Sequence, residues 1–281
     1  MSVLTRLGFR LPAVFATADT GPLLPRLVDL GLAAERAGFD SVWVPDVTGE
    51  PRSHPEAALE AYTTLGALAA STTTARLGAL ASPVPGRAPA LLAKQVTTVD
   101  VLSGGRAVLG LRSARWRLTG RRVQLEQLDE AAQVCRALFR HEVSTFTGRH
   151  FRVEHAANRP APVQVGGPPI LLAGAGGRGL LAVAARHADA VFMQVTPAVL
   201  RRGVVALATM CRRAGRESGE VSVIAALDAR ASGWETSEQD ALVRRAAALR
   251  QAGAHGVVVE PSASTPPDAL ERLGAVLRDL A

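Results

Sequence analysis

Residues 168–194 read Pro-Pro-Ile-Leu-Leu-Ala-Gly-Ala-Gly-Gly-Arg-Gly-Leu-Leu-Ala-Val-Ala-Ala-Arg-His-Ala-Asp-Ala-Val-Phe-Met-Gln. The apolar run Ile170 to Ala173 predicts a buried strand, the glycines from Gly174 to Gly179 a tight turn, Leu180 to His187 an Ala/Leu helix, and Ala190 to Met193 a second strand. The product is one βαβ unit. Glycines between a buried strand and a helix let backbone N–H groups approach a ligand, and the helix start adds a positive dipole, so Gly174, Ala175, Gly176 and Gly177 suit a phosphate, with Arg178 as reinforcement. Gly174, Gly176 and Gly179 also satisfy the dinucleotide pattern G-x-G-x-x-G. That pattern needs an acid at the end of the second strand to hold a ribose. Here the strand ends in Gln194, and the nearest acid, Asp189, precedes it. A nicotinamide site of that type lacks its confirming residue.

Outward from this unit the pattern repeats. Strands are predicted at Leu7 to Leu11, Ser41 to Val44, Leu77 to Leu80, Ala107 to Leu111, Val221 to Leu227 and Gly256 to Glu260. Their uninterrupted apolar character is that of parallel sheets covered on both faces. Helices are predicted from Pro22 to Ala37, Glu56 to Ala70, Ala90 to Leu102, Leu125 to Phe139, Pro197 to Ala214, Glu238 to Ala252 and Pro267 to Leu280. Thr145 to Val153, around Gly148, reads as a small hairpin outside the alternation. Eight strands alternate with eight helices, through short connections and with no break in composition. This predicts one domain over residues 1–281, a single (β/α)₈ barrel, with a doubly wound open sheet as the competing arrangement. Barrel geometry places ligands at the C-terminal ends of the strands. The residues just after the strands are therefore the site candidates: Asp46, Ala81, Ser82, Arg112, Gly174 to Gly177, Gln194, Asp228 and Glu260.

Nearly half of the 281 residues, 48%, are apolar, enough for a sizeable core. No apolar run reaches the length of a membrane span, and Met1 to Arg10 lacks the charged-then-apolar signal pattern, so the expected location is the cytoplasm. The net charge of +7 raises the question of nucleic acid. Lys94 is the only lysine, however, and the arginines are scattered among alanines, except for Arg112, Arg115, Arg117, Arg121 and Arg122 around Trp116. Aromatic residues are too sparse for a base-stacking surface, which argues against a nucleic-acid partner. Cys135 and Cys211 have neither metal nor disulfide spacing and read as buried thiols.

Glu35-Arg36-Ala37-Gly38-Phe39-Asp40-Ser41-Val42-Trp43-Val44-Pro45-Asp46, Arg76-Leu77-Gly78, Pro89 to Gln95, Asp100-Val101-Leu102-Ser103-Gly104-Gly105-Arg106, Phe146 to Phe151 and Pro168-Pro169-Ile170 with the glycine turn follow one another in an order that resembles the bacterial luciferase-like flavin and deazaflavin oxidoreductases. The similarity runs over nearly the whole chain. Its specific part is the run at Ser103-Gly104-Gly105-Arg106 together with the ordered succession. It implies a (β/α)₈ barrel binding coenzyme F-420 or FMN, with a small-molecule substrate; members are often homodimers.

Carried over by position, the resemblance puts the cofactor phosphate on Gly174, Ala175, Gly176 and Gly177, a cis non-proline peptide at Ala81-Ser82 behind the ring, Asp46 near the ring, and Gln194 where the sixth strand meets the cofactor. Two positions depart from the family pattern. Many deazaflavin members follow the strand-end acid with a histidine that donates a proton or stabilises charge; here that position is Val47, with Glu50, His54 and His155 as candidate replacements. After the fourth strand the family has a glycine-rich turn, whereas this chain has Gly110-Leu111-Arg112-Ser113-Ala114-Arg115-Trp116. Arg112 and Arg115 either fork onto an anionic cofactor tail or acidic substrate, or fill the cofactor pocket. The expected activity is hydride transfer between F-420 and a small organic substrate. Oxygen chemistry or reduction with FMN, and a non-catalytic homologue with a degenerate site, are the alternatives. F-420 is favoured because strand-end arginines suit its acidic tail and because the Ala/Arg composition looks actinobacterial. No catalytic residue is assigned, and no metal is expected.

Overall fold

The computed structural model describes residues 4–12, 23–47, 59–114, 120–229, 236–261 and 267–278. Eight parallel strands close into a barrel: β1 (Leu7–Arg10), β2 (Ser41–Val44), β3 (Arg76–Ala79), β5 (Ala107–Ser113), β8 (Ile170–Gly174), β9 (Ala190–Met193), β10 (Ser222–Ala229) and β11 (Gly256–Pro261). Closure comes from β3 pairing with β5, Leu77 opposite Ala107 and Gly78 opposite Val108. The helices between and after them are α1 (Leu23–Arg36), α2 (Ala61–Ser71), α3 (Pro89–Leu102), α4 (Arg121–Arg140), α5 (Arg178–His187), α6 (Pro197–Arg213), α7 (Thr236–Gln251) and α8 (Pro267–Arg278). The closed (β/α)₈ barrel is thus the observed fold, and the open-sheet alternative is excluded by the β3–β5 pairing.

Three further strands lie outside the barrel count. β4 (Ser82–Val84) adds to the edge of β5, and β6 (Val143–Thr147) pairs with β7 (Arg152–Ala157) as an antiparallel hairpin, longer than the predicted Thr145 to Val153. Glu130 of α4 seats that hairpin by accepting the backbone N–H groups of Arg149, His150 and Phe151. Two helix starts, those of α2 and α4, differ from expectation by more than two residues. α2 begins at Ala61 because Glu60 caps it, its carboxylate accepting Thr63 N–H at 2.7 Å. α4 begins at Arg121, four residues before the predicted start, so Arg121 and Arg122 sit on its first turn and not in the preceding loop. The predicted starts at Pro22 and Glu56 lie outside the described residues.

Side chains fill the barrel rather than leaving a pore. Trp43, fully buried, lies across the lumen and donates its indole N–H to Ser41 Oγ at 2.9 Å. It fits because β1 and β3 supply glycines opposite: a Cβ on Gly8 would come within 2.9 Å of the indole nitrogen, and one on Gly78 within 2.8 Å of the ring. Val108, Leu171, Ala190, Phe192, Ile224 and Val258 complete the inner cluster, while the alternate strand residues, such as Phe9, Val42, Leu109 and Val259, pack with the helices.

The motif most specific to the resemblance is structural. Arg106 donates to the carbonyls of Ser103, Ala75, Thr72 and Ala69 and to the Thr72 hydroxyl, at 2.7–3.2 Å, tying the α3-to-β5 joint to the end of α2. Asp100 accepts the N–H groups of Val163, Gln164 and Ala107 beside it. These joints lie at the N-terminal ends of the strands, the face of a barrel that serves stability.

Candidate active site

The opposite face gathers the predicted site residues into three groups, and alternation along the strands decides which reach the lumen. Gly8, Phe192, Ala226 and Val258 face inward, so Arg10, Gln194, Asp228 and Glu260, each two residues further on, form the next inward layer. Glu260 is 3% exposed, and both of its oxygens are engaged: Oε1 accepts Arg10 Nη1 at 2.6 Å, and Oε2 accepts Gln194 Nε2 at 3.0 Å. Gln194 thus reaches across β10 from β9 to β11. Arg10 was not among the predicted residues; the signal available was its inward phase, two residues after Gly8 on a strand end.

The second group surrounds the β3 exit. The peptide bond Leu80–Ala81 is cis, as is Val84–Pro85, so the cis non-proline bond falls one residue before the expected Ala81-Ser82. Arg112, in the inward phase of β5 after Val108 and Gly110, lays its Nε on the Ala81 carbonyl at 3.0 Å. Ser82 turns its hydroxyl to Tyr62 of α2, O to O 2.9 Å, with both residues buried. Burial pushes the Tyr62 phenol up, so it stays protonated at any ordinary pH. Asp46, buried, is gripped by Arg87, which donates Nε to Oδ2 at 3.1 Å and Nη2 to Oδ1 at 2.9 Å, and reaches Glu60 at 2.7 Å. The hydrogen bond to Asp46 raises the Arg87 guanidinium further above its ordinary value, and the guanidinium also stands 5.2 Å from the Tyr62 ring centre. Arg87, 41 residues from Asp46, was likewise missed.

The third group is the glycine turn. Gly176 has φ +68°, and Gly177 caps α5 with no side chain bonded to the cap, so the first N–H groups of the helix are open to an acceptor. Arg121 lies against this turn: a Cβ on Gly177 would come within 2.3 Å of its Nη2, and a Cβ on Gly176 within 2.7 Å of Met193 Sδ. The turn is therefore a cradle whose own side chains stop at the Ala175 methyl, with Met193 and Arg121 packed against its glycines, open N–H groups at the helix start and the exposed Arg178 beside it. A phosphate fits such a cradle in shape and charge.

Of the replacements expected for the histidine absent at Val47, His155 is not in this layer. His155 belongs to β7, in the α4-to-β8 connection on the N-terminal side of the barrel, with its N–H on Thr145 Oγ1 at 3.1 Å. Glu50, His54 and Arg115 lie outside the described residues. Asp189 sits at the start of β9, bonded to Ile170 N–H at 2.7 Å and Arg136 at 2.6 Å, far from the strand end where a ribose acid would stand. No group of three or more metal-ligating side chains occurs among the described residues, and no helix among them is long and apolar enough to cross a membrane.

The family profile described as luciferase-like monooxygenase matches residues 5–255. Among curated relatives, the F420-dependent glucose-6-phosphate dehydrogenase of Kineococcus radiotolerans is 28% identical over 70% of this chain and 61% of its own length. The F420-dependent hydroxymycolic acid dehydrogenase of Mycobacterium tuberculosis is 27% identical over 68% and 55%. The 5,10-methylenetetrahydromethanopterin reductase of Archaeoglobus fulgidus is 30% identical over 58% and 47%. The chain spans roughly half to three fifths of the length of these proteins. Among solved structures, an F420-dependent secondary alcohol dehydrogenase superposes with a TM-score of 0.84 at 14% identity, over 99% of both chains. The monooxygenase RslO1 of Streptomyces bottropensis gives 0.81 at 17%, over 98% of both.

Proposed function

We propose, for a chain that belongs to the luciferase-like monooxygenase family, that its barrel is a deazaflavin-dependent oxidoreductase transferring a hydride between coenzyme F-420 and a small organic substrate. The observation that carries this reading is the cradle at Gly174 to Gly177, with its open α5 N-terminus and Arg121 alongside. It stands at the C-terminal end of β8, the fifth barrel strand, on the face of the barrel where ligands sit.

When bound, the deazaflavin supplies a hydride donor or acceptor. The backbone of the turn, with Arg121 and Arg178, would hold its phosphate; Ala81 and Arg112 would border the ring; Arg10, Gln194 and Glu260 would line the substrate side. What the chain contributes is position: an inner layer on strand ends, in which Arg10 is tied to Glu260 and Arg112 to the Ala81 carbonyl. Among the described strand-end residues, Arg10, Arg112 and Gln194 are not suited to exchange a proton at neutral pH; on this reading water at the open end of the barrel would give the proton when the substrate is reduced and take it when the substrate is oxidised.

F-420 is preferred to FMN because curated relatives aligned to this chain are named F420-dependent. FMN remains the second reading, since the similar folds include monooxygenases such as RslO1 and the EDTA monooxygenase of Chelativorans. The test is anaerobic turnover. Oxidised F-420 is offered with a panel of alcohols and hydroxy acids, and reduced F-420 with carbonyl and enoyl compounds, while the cofactor's visible absorbance is followed. Substrate-dependent bleaching or recovery supports the proposal. Oxygen consumption with reduced FMN, and none of these changes with F-420, supports the second reading.

A further inference from the structure

The bridge Arg10–Glu260–Gln194 leaves one edge of a guanidinium unused. Glu260 turns one oxygen to Arg10 Nη1 and the other to Gln194 Nε2, so its charge is spent within the protein. Asp228, in register with Glu260 on β10, has a partner of its own. Arg10 Nε is buried and has no hydrogen-bond partner among the described residues. Buried N–H groups in native proteins are nearly always paired, so this one points to an acceptor outside the described residues. The Arg10 side chain is 29% exposed at the open end of the barrel but its Nε is covered, so an acceptor engages that edge only with a small shift of the guanidinium or of what covers it.

A guanidinium is a planar fork. With Nη1 turned to Glu260, Nε and Nη2 make the remaining edge, whose two parallel N–H bonds match the two oxygens of a carboxylate. A ketone or alcohol oxygen would satisfy only one of them and bring no charge.

We infer that this edge is a carboxylate-binding site and that Arg10, buttressed by Glu260, restricts the substrate to small organic acids. The binding itself is independent of the cofactor; the word substrate rests on the hydride-transfer reading above. Anchoring a carboxylate on a strand-end arginine fixes the rest of a small molecule in the lumen, so Arg10 acts as a specificity determinant and not as a proton donor.

The experiment follows the buried Arg10 Nε–H in ¹⁵N-labelled full-length protein, its resonance assigned by its loss in R10K. Pyruvate and acetate are the acid probes, with acetone and 2-propanol as neutral matches. A saturable shift of that resonance with the acids alone is expected. The R10M/E260Q variant removes both charges together and so leaves no isolated buried carboxylate; acid binding, read by calorimetry, should be at least about tenfold weaker in it, and R10K should fall in the same direction. No shift with either acid, or unchanged affinity in both variants, would overturn the inference. Oxidised F-420 is titrated in parallel. Equal F-420 affinity in wild type and R10M/E260Q supports a substrate role, while loss of F-420 affinity in the variant reassigns Arg10 to the cofactor and overturns it. Carboxylate binding by a wild type that does not bind F-420 would uphold the site and defeat the hydride-transfer reading instead.

Discussion

Arg87 holds both carboxylate oxygens of Asp46, at 2.9 and 3.1 Å, and joins the end of β2 to the segment that enters α3. Asp46 is almost fully buried, so the pair cannot be split without leaving an isolated charge out of water. Arg87→Met should cost about 3 kcal/mol of unfolding free energy, while the double variant Arg87→Met, Asp46→Asn should recover most of it. Urea titration of the three proteins checks this; a single variant as stable as wild type would show that the pair is open to water.

Arg106 is the corresponding fastener on the other face of the barrel. Its four carbonyl acceptors lose their partner together in Arg106→Met, and a loss of about 3 kcal/mol is expected. Because the strand ends that form the candidate site lie on the opposite face, ligand affinity measured on the folded fraction should stay within about twofold of wild type, a difference well under the 1.4 kcal/mol of a tenfold change. Thermal melts and binding titrations on the same samples separate the two effects.

At the glycine turn the expectation is reversed, with little change in stability and a large one in binding. A methyl group on Gly177 would enter the space beside Arg121 Nη2 and push that side chain off the turn. Gly177→Ala, whose backbone at φ −66° accepts alanine, should keep the melting temperature and weaken phosphate-bearing ligands by about tenfold or more, close to 1.4 kcal/mol. Calorimetry with the cofactor reads the loss.

Acid sensitivity follows from two carboxylates. Burial alone would raise the Glu35 carboxyl, but the N–H groups of Ala75, Thr74 and Thr73 and the Thr74 hydroxyl outweigh it and hold it at about 2. Asp129, also pushed up by burial, is held at about 2 by hydrogen bonds from His187 and Arg186. Both values are depressed relative to the unfolded chain, so their contribution is complete above the ordinary carboxylate range, near pH 4 to 4.5, and is lost as pH falls toward 2. The urea midpoint should therefore drop steeply across that window, and Glu35→Gln should flatten the drop.

Much of the barrel was legible because continuous apolar runs and Ala/Leu helices alternate with little interruption, while its closure, against the open-sheet alternative, rests on the β3–β5 pairing. The glycine turn was legible for the same local reason. The partners of Asp46 and Glu260 were not: Arg87 and Arg10 are distant in sequence and become neighbours only through the closed sheet. Arg10 in particular reads as a charged strand terminus until the register with β11 turns it inward beside Glu260. Ser103-Gly104-Gly105-Arg106 shows the converse, a conspicuous motif whose arginine secures the face away from the ligands. The α4 start was missed because Gly120 followed by two arginines carries no capping side chain to announce a helix.

The claim that this barrel is a deazaflavin enzyme is tested most directly by titrating the purified protein with oxidised F-420, FMN and NADP in parallel, following cofactor fluorescence and heat. Micromolar or tighter binding of F-420, weakened in Gly177→Ala, is the predicted result. Binding of FMN or NADP in its place, or of none of the three, would contradict it.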